Sequence, residues 1–151
     1  MMKKITAILL LLLSLNAFAQ EIVLRDSLYY KGNELYTGRL KESKASGNVL
    51  ASLSIRKGQL HGKSLLYHEN GKAKELRTYR KGLKHGSWYS WNEQGIRIAG
   101  ARYSAGLKHG KWLIWDENGQ IRYIMHYKKG LKSGTWFMFD AKGEVIMKKT
   151  F

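Results

Sequence analysis

The sequence contains no cysteine among its 151 residues, and this absence removes several kinds of chemistry. Without thiols the chain forms no disulfide, carries no lipidated cysteine and has no cysteine nucleophile. Acidic residues are also scarce, with 11 Asp and Glu against 27 Lys and Arg, and the formal net charge is +16. So basic a balance indicates an anionic partner, such as an acidic protein or an anionic envelope surface.

Long apolar runs are absent after the first 20 residues. The run Ile5–Leu15 follows Lys3 and Lys4 and precedes Ala17–Ala19. A basic start, a short apolar stretch and a small-x-small site are typical of a cleavable signal peptide, whereas a membrane-spanning helix needs about 17–25 apolar residues. We therefore expect residues 1–19 to be removed, and the protein to be periplasmic or secreted but not a lipoprotein. Export also disfavours nucleic acid as a partner.

A repeat of 24 residues organises the rest of the chain. Four units follow one another at 57–80, 81–104, 105–128 and 129–151. They share three glycine columns: Gly58/82/106/130, Gly62/86/110/134 and Gly71/95/119/143. Residues 31–56 resemble a degenerate, aromatic-poor unit that caps the array, and 20–30 form a lead-in. A period of this size predicts small units that bury their apolar faces only by stacking on their neighbours.

Each unit reads as one β-hairpin. Two stretches rich in aromatic and β-branched residues flank a polar turn, and glycines at this density disfavour a helix by about 1 kcal/mol each. Asn70-Gly71 and Asn118-Gly119 predict type I′ turns, in which both central residues have positive φ. We therefore predict an all-β fold, an elongated antiparallel β-hairpin ladder of about five units.

Stacking of the hairpins aligns residues that are 24 positions apart, and three such columns are mostly aromatic. They are Ser64/Trp88/Trp112/Trp136, Tyr67/Trp91/Trp115/Phe139 and Tyr79/Tyr103/Tyr127/Phe151. The first two columns are three residues apart, so they are expected on opposite faces of the sheet unless a bulge intervenes. Stacked rings of this kind serve as packing, as a surface for a partner, or as both.

A row of lysines recurs beside the second glycine column. Lys84, Lys108 and Lys132 fall at the glycine-rich connections between units, which are basic overall, whereas the hairpin turns are weakly acidic. Equivalent atoms of neighbouring units are expected about 9–10 Å apart, because each unit adds two strands. Such a row attracts an anionic partner, although edge lysines also serve simply to prevent aggregation of sheets.

Catalytic and metal-binding constellations do not assemble. His61, His85 and His109 form a column, but a spacing of about 9–10 Å is too wide for them to share one zinc ion, whose nitrogen ligands lie within about 2.1 Å. These histidines are interpreted as turn-stabilising residues. No nucleophile with a paired base is recognisable, so we predict a protein that is not an enzyme and needs no cofactor or metal.

The motif G-x-x-H-G-x-W, followed by a D-E-N-G type of turn and a tyrosine before the next K-G, resembles the MORN repeat variant of bacterial proteins. The layout from about Lys31 to Phe151 is similar to the YwqK-type antitoxin family. That resemblance implies a β-ladder and a role in binding and neutralising a cognate toxin. The export signal departs from a cytoplasmic antitoxin and points to an immunity or envelope protein instead.

These features together predict an exported, non-enzymatic protein that binds a protein partner, with a toxin as one candidate. The alternative is a peripheral envelope scaffold that binds anionic lipid or polymer through its basic edge. The predicted partner-binding residues are Lys84, Lys108, Lys132, Trp88, Trp91, Trp112, Trp115 and Trp136.

Overall fold

The computed structural model of the chain describes residues 21–151, and the predicted signal peptide lies outside the described residues. This part of the chain contains seventeen strands and no helix. The strands are Ile22–Arg25 (β1), Leu28–Lys31 (β2), Glu34–Leu35 (β3), Gly38–Ser43 (β4), Val49–Arg56 (β5), Gln59–Leu60 (β6), Gly62–Tyr67 (β7), Ala73–Arg80 (β8), Leu83–Lys84 (β9), Gly86–Trp91 (β10), Arg97–Ser104 (β11), Leu107–Lys108 (β12), Gly110–Trp115 (β13), Ile121–Lys128 (β14), Leu131–Lys132 (β15), Thr135–Phe139 (β16) and Val145–Thr150 (β17).

Five hairpins of nearly identical register build the main sheet, which confirms the predicted antiparallel β-hairpin ladder. The hairpins are β4–β5, β7–β8, β10–β11, β13–β14 and β16–β17, and they lie side by side in sequence order. Each hairpin has one irregularity near its turn. In the β10–β11 hairpin Ser90 pairs with Ala99 and Trp91 pairs with Arg97, so Ile98 is the extra residue. The unit boundaries inferred from sequence stay a prediction.

The hairpin turns correct one detail of the sequence analysis. Asn70-Gly71 and Asn118-Gly119 do not form type I′ turns, because in each pair only the glycine has positive φ, at 80° in Gly71 and 81° in Gly119. The Gly71 N–H donates to the His68 carbonyl at 3.0 Å, and the His68 N–H donates to the Lys72 carbonyl at 2.9 Å. The loop is therefore a longer turn that ends in one left-handed glycine, a form in which Asn is not required to adopt positive φ.

Type I′ geometry occurs instead at the connections between units. Lys81 and Gly82 both have positive φ, at 50° and 77°, and the equivalent pairs behave alike. Each connection is folded back by a two-residue strand, β6, β9, β12 or β15, which pairs with the preceding long strand. The Gly106 N–H donates to the Lys84 carbonyl at 2.8 Å, so successive connections are also hydrogen-bonded to one another. This second row of bonds fixes the spacing of the connections.

The main sheet is a single layer, and its core is correspondingly small. Within residues 21–151, Ala51 and Ile55 are the apolar side chains that are almost fully buried, with 6% and 4% exposure. Most aromatic side chains of the later units are only half-buried. Their stability must therefore come from contacts between neighbouring rings rather than from a second layer. No helix in the described range is long and apolar enough to cross a membrane.

Strands β1–β3 form a separate small sheet beside the first connection. The Tyr29 N–H donates to the Gly58 carbonyl and the Gly58 N–H donates to the Tyr36 carbonyl, both at 2.8 Å. Burial raises the pKa of the Tyr29 hydroxyl, with smaller contributions from Glu42 and Tyr79. These neighbours place Tyr29 beside the first hairpins, close to the most buried part of the array.

Candidate functional site

Seven aromatic rings form a continuous ladder along one face of the sheet. They belong to Tyr79, Trp88, Tyr103, Trp112, Tyr127, Trp136 and Phe151, and we call them the aromatic ladder. Consecutive ring centroids lie between 4.8 and 5.3 Å apart, with planes tilted by 54° to 65°. Tilted and edge-to-face pairs of this kind are favourable by about 0.5–1.5 kcal/mol beyond the area they bury. The tryptophan and tyrosine columns of the sequence therefore interleave on one face.

Hydrogen bonds fix the orientation of the three tryptophans in the ladder. The Trp88 indole N–H donates to the Thr78 carbonyl at 2.9 Å, and the Trp136 indole N–H donates to the His126 carbonyl at the same distance. The Trp112 indole N–H donates to the Arg102 carbonyl at 3.1 Å. In each case the acceptor belongs to the preceding hairpin. Each indole therefore ties its own hairpin to the one before it.

The three predicted lysines lie on this same ladder. The Lys84 ammonium is 4.8 Å from the Trp88 centroid and 5.1 Å from that of Tyr103. Lys108 and Lys132 repeat the arrangement in the next two units, at 4.5 to 4.9 Å from their pairs of rings. An ammonium within about 6 Å of a ring centroid makes a cation–π interaction. The basic row and the first tryptophan column are thus one surface, which we call the lysine–aromatic ladder.

Strand alternation explains why lysine reaches the rings. Tyr79 of β8 and Lys84 of β9 lie opposite each other, and neighbouring side chains of a strand point to opposite faces. Lys84 therefore shares the face of Tyr79, while Leu83 points to the other face. Leu83, Leu107 and Leu131 form an exposed row there, with 53%, 51% and 74% exposure. This leucine row has the same 24-residue period and was identifiable from the sequence, yet it was missed.

Trp91 and Trp115 are not part of the lysine–aromatic ladder. The Trp91 ring lies 6.0 Å from that of Tyr89, which is the neighbour of Trp88 in β10 and so points to the opposite face. The expectation of aromatic columns on both faces is therefore confirmed. Arg97 lies over the Tyr89 ring at 4.6 Å, and the Trp115 ring lies 3.3 Å from where a Cβ of Gly100 would be. Neither Arg97 nor Gly100 repeats with the period, so sequence columns gave no signal for them.

The lysine and tryptophan positions of the ladder are filled only from the unit 81–104 onward, because the unit 57–80 departs from the pattern. Leu60 occupies the lysine position, and fully buried Ser64 occupies the tryptophan position. The Ser64 hydroxyl accepts a hydrogen bond from the Ser54 N–H at 3.2 Å. Next to Trp88 the Arg77 guanidinium bonds to the Glu75 carboxylate at 2.7 Å, which raises the pKa of Arg77. That cation already has an acidic partner.

His61, His85 and His109 each follow a different two-residue strand. The described residues contain no group of three His, Asp or Glu side chains that could hold an ion. The His61 Nδ1 atom accepts a long hydrogen bond of 3.4 Å from the Lys81 N–H, which joins one connection to the next. Asp116 similarly caps its own turn, since one of its carboxylate oxygens accepts from the backbone N–H groups of Asn118 and Gln120 at 3.0 and 2.9 Å.

The comparisons with known proteins agree with this architecture. Residues 60–81 and 108–129 match the MORN repeat variant. The two matches begin 48 residues apart, which is two periods, and the hairpin between them has the same register. No curated protein matches the chain. The chain therefore contains repeats that match the MORN repeat variant, and its units form a single-layer hairpin ladder.

The ladder is expected to weaken at alkaline pH. Burial raises the pKa of the Tyr103 hydroxyl above its ordinary value of 10.0, and nearby Tyr79 adds a smaller increase. A raised pKa favours the neutral phenol in the folded state, so its stabilisation is complete below about pH 10 and is lost as the pH rises through the folded-state pKa. We expect urea midpoints to fall above about pH 10, as followed by tryptophan fluorescence.

A control must isolate the contribution of the Tyr103 phenol. Tyr103→Phe keeps the ring and removes the phenol. Its urea midpoint should fall less steeply with pH than that of the parent chain. An identical pH dependence of the two proteins would show that Tyr103 does not contribute.

Proposed function

We propose that this chain is a non-enzymatic binding protein that holds a protein partner on the lysine–aromatic ladder. The observation that carries the proposal is the repetition of one set, an exposed lysine over two aromatic rings, in three consecutive units. Repetition gives a long surface rather than a pocket. MORN repeats often mediate protein or membrane binding, which supports the same class of function.

The chemistry of the surface favours an acidic protein. Tryptophan and tyrosine are enriched where interface residues contribute most to binding energy, and their rings here retain solvent-facing area in a sheet without a second layer. The lysines add positive potential, which accelerates association with an acidic partner and makes the affinity sensitive to salt. A net charge of +16 extends that attraction over the whole molecule.

A more specific role follows from the leader and from the family resemblance. We propose that the protein is exported, acts in the periplasm or outside the cell, and neutralises a toxin as an immunity protein. The basic start, apolar run and Ala17–Ala19 site support export. The similarity to YwqK-type antitoxins supports neutralisation. The recurring polar residues, such as Asp116, have turn-capping roles that account for their presence without catalysis.

Retention of a partner by the purified chain tests the proposal. The bait is compared with a Lys84→Glu, Lys108→Glu, Lys132→Glu variant against envelope and secreted proteins of the cells that make it. We expect one stoichiometric protein to be retained by the parent, and its dissociation constant to increase at least tenfold in the variant, because three attractive contacts become repulsive.

A second triple variant matches the charge change on the other face. Lys63 and Lys111 directly precede Ser64 and Trp112 of the first tryptophan column, and Lys148 pairs with Phe137, which directly follows Trp136. Because neighbouring side chains of a strand point to opposite faces, these three lysines point away from the ladder. Their replacement by glutamate should weaken binding much less. Equal weakening by both variants would contradict a site on the ladder, and retention of no protein would contradict a protein partner.

The alternative function, a peripheral scaffold on anionic envelope lipid or polymer, is favoured by the leucine row. Leu83, Leu107 and Leu131 are more than half exposed and lie beside basic connections. Apolar side chains flanked by cations are typical of surfaces that lie on anionic membranes. Sedimentation with anionic and neutral vesicles tests this role. Binding to anionic vesicles that is lost on replacing the three leucines with serine supports the scaffold.

A further inference from the structure

The three lysines of the ladder repeat at a fixed interval on one side of the sheet. Each unit contributes two strands of one antiparallel sheet, so equivalent atoms recur about every 9.4–9.8 Å. The connections that carry the lysines are hydrogen-bonded from unit to unit, which keeps this interval regular. Any linear ligand that bonds all three lysines must present its acidic groups at the same interval and on one side.

The ammonium groups retain binding capacity. The ion pairs of residues 21–151 join Lys44 to Glu69 and Arg77 to Glu75, so none of the three ladder lysines is paired with a carboxylate. Each ammonium has three hydrogen-bond donors, and a ring face does not use them all. Lys84, Lys108 and Lys132 are exposed. A partner carboxylate can therefore bond to each ammonium from the solvent side.

Only some backbone conformations match the interval. A β-strand places residues of one face about 6.7 or 13.4 Å apart, and both distances miss it. An α-helix with acids seven residues apart gives about 10.5 Å, an error that accumulates to nearly 2 Å over two intervals. A polyproline II helix rises about 3.1 Å per residue with three residues per turn, so every third side chain lies on one side at about 9.3 Å.

Aromatic contacts between units lie between successive lysines of the ladder. Lys84 covers the pair Trp88 and Tyr103, and Lys108 covers the next pair within a unit. The ring contact between units joins Tyr103 and Trp112, whose centroids are 5.2 Å apart, and it falls between the two lysines. Proline rings dock on aromatic side chains in grooves that recognise polyproline II segments. Cations and aromatic contacts therefore alternate along the ladder, and the lysines recur at nearly the same interval as every third residue of a polyproline II helix.

We propose that the lysine–aromatic ladder recognises an extended polyproline II segment of the partner that carries an acidic residue at every third position. Three successive carboxylates bond to Lys84, Lys108 and Lys132. The intervening residues, proline above all, pack on the ring contacts between units. This inference rests on the proposed function, since it specifies which part of a protein partner the ladder holds.

Peptides of one composition and two spacings test the inference. The full chain is titrated with fluorescein-labelled Glu-Pro-Pro repeated three times, and with a nonapeptide of the same three glutamates and six prolines in which glutamates occupy positions 1, 3 and 5. Fluorescence anisotropy measures both dissociation constants. We expect the every-third peptide to bind at least tenfold more tightly, because it alone engages all three lysines.

Variants of the protein complete the test. Substitution of Lys84, Lys108 and Lys132 by Gln should abolish the difference between the two peptides, whereas substitution of Lys63, Lys111 and Lys148 by Gln should preserve it. Equal affinity of the two peptides for the parent chain would overturn the inference, since charge alone would then explain binding. Tighter binding of a helical peptide with glutamates seven residues apart, or of a polyuronate in place of any peptide, would overturn it as well.

The outcome is separable from that of the proposed function. A protein retained by the parent chain and lost in the ladder variant, with no preference for the every-third peptide, would leave the proposed function standing and remove the polyproline II segment. A clear peptide preference without a retained protein would support the ladder specificity and remove the partner assignment.

Discussion

Replacing Trp112 with Ala is expected to lower the free energy of unfolding by about 3 kcal/mol. The substitution removes ring contacts with Tyr103 and Tyr127, each at 5.2 Å, and the cation–π contact with Lys108 at 4.5 Å. It also leaves the Arg102 carbonyl without its indole donor. The value lies at the low end for tryptophan truncation because this side chain is only half-buried. Urea unfolding followed by far-ultraviolet circular dichroism measures the change.

The loss should be larger than the side chain's own burial suggests. In a repeat array each hairpin contacts only its neighbours, so the interface between two hairpins contributes directly to the stability of the whole. Trp112 contacts rings on both sides of itself, and its indole bond crosses to the preceding hairpin. Amide hydrogen exchange should therefore show faster exchange in β11, β13 and β14 than in β4 and β5.

Two controls separate the ring from its surroundings. Trp112→Phe keeps an aromatic ring but loses the indole N–H, and it should cost about 1 kcal/mol. Leu107→Ala truncates an apolar side chain of the same unit that is 51% exposed, and it should cost less than about 0.5 kcal/mol. If Trp112→Ala proved no more damaging than Leu107→Ala, the aromatic ladder would not be what holds the hairpins together.

The fold was predictable because the 24-residue period can be read directly from the sequence. Glycines and aromatic residues recur every 24 positions, and stacking of equivalent units follows from that recurrence alone. The assignment of Trp88 and Trp91 to opposite faces needed only strand alternation. It held because the irregularity of this hairpin lies in the partner strand, at Ile98, and leaves the alternation of β10 unbroken.

The site was predictable only in part, because its geometry depends on strand pairing, which a column of residues 24 positions apart does not reveal. Lys84 reaches the Trp88 ring because the connection folds back as β9, and the sequence showed the connection as a glycine-rich edge without that pairing. The Asn70-Gly71 pair misled for a related reason. Its type I′ signal belongs to two-residue loops, whereas this loop is longer and needs positive φ only at the glycine.

The small N-terminal sheet was missed because it lies outside the period. Residues 22–35 share neither the glycine columns nor the aromatic columns of later units. Its position depends on tertiary hydrogen bonds of Tyr29 and Tyr36 to Gly58, which no local pattern reveals. The importance of this contact is open to a direct test at the glycine itself.

Replacing Gly58 with Ala is expected to lower the free energy of unfolding by about 2–5 kcal/mol. Gly58 has φ of 72°, where an L-residue costs about 1–2 kcal/mol. An added Cβ would lie 2.7 Å from Leu35 Cδ2 and 3.2 Å from the Tyr29 carbonyl oxygen. The leucine can move, but the carbonyl belongs to the backbone that bonds this connection. Relief of the clash therefore requires the N-terminal sheet to shift, at a further cost of about 1–3 kcal/mol.

Gly82→Ala is the matched control, because it changes the same turn position without the neighbouring sheet. Gly82 has φ of 77°, and nothing lies within 4 Å of where its Cβ would be. Its cost should be about 1–2 kcal/mol from the backbone alone. In hydrogen exchange, Gly58→Ala should speed exchange of the Tyr29 and Tyr36 amides, whereas Gly82→Ala should leave both protected. Equal losses of stability with unchanged protection in β2 would mean that docking of the N-terminal sheet does not depend on the close approach of Gly58. A larger loss of stability for Gly58→Ala than for Gly82→Ala would instead show that the absence of a side chain at Gly58 lets the N-terminal sheet dock beside the first hairpins. In those hairpins Ile55 and Ser64 are the least exposed members of their columns.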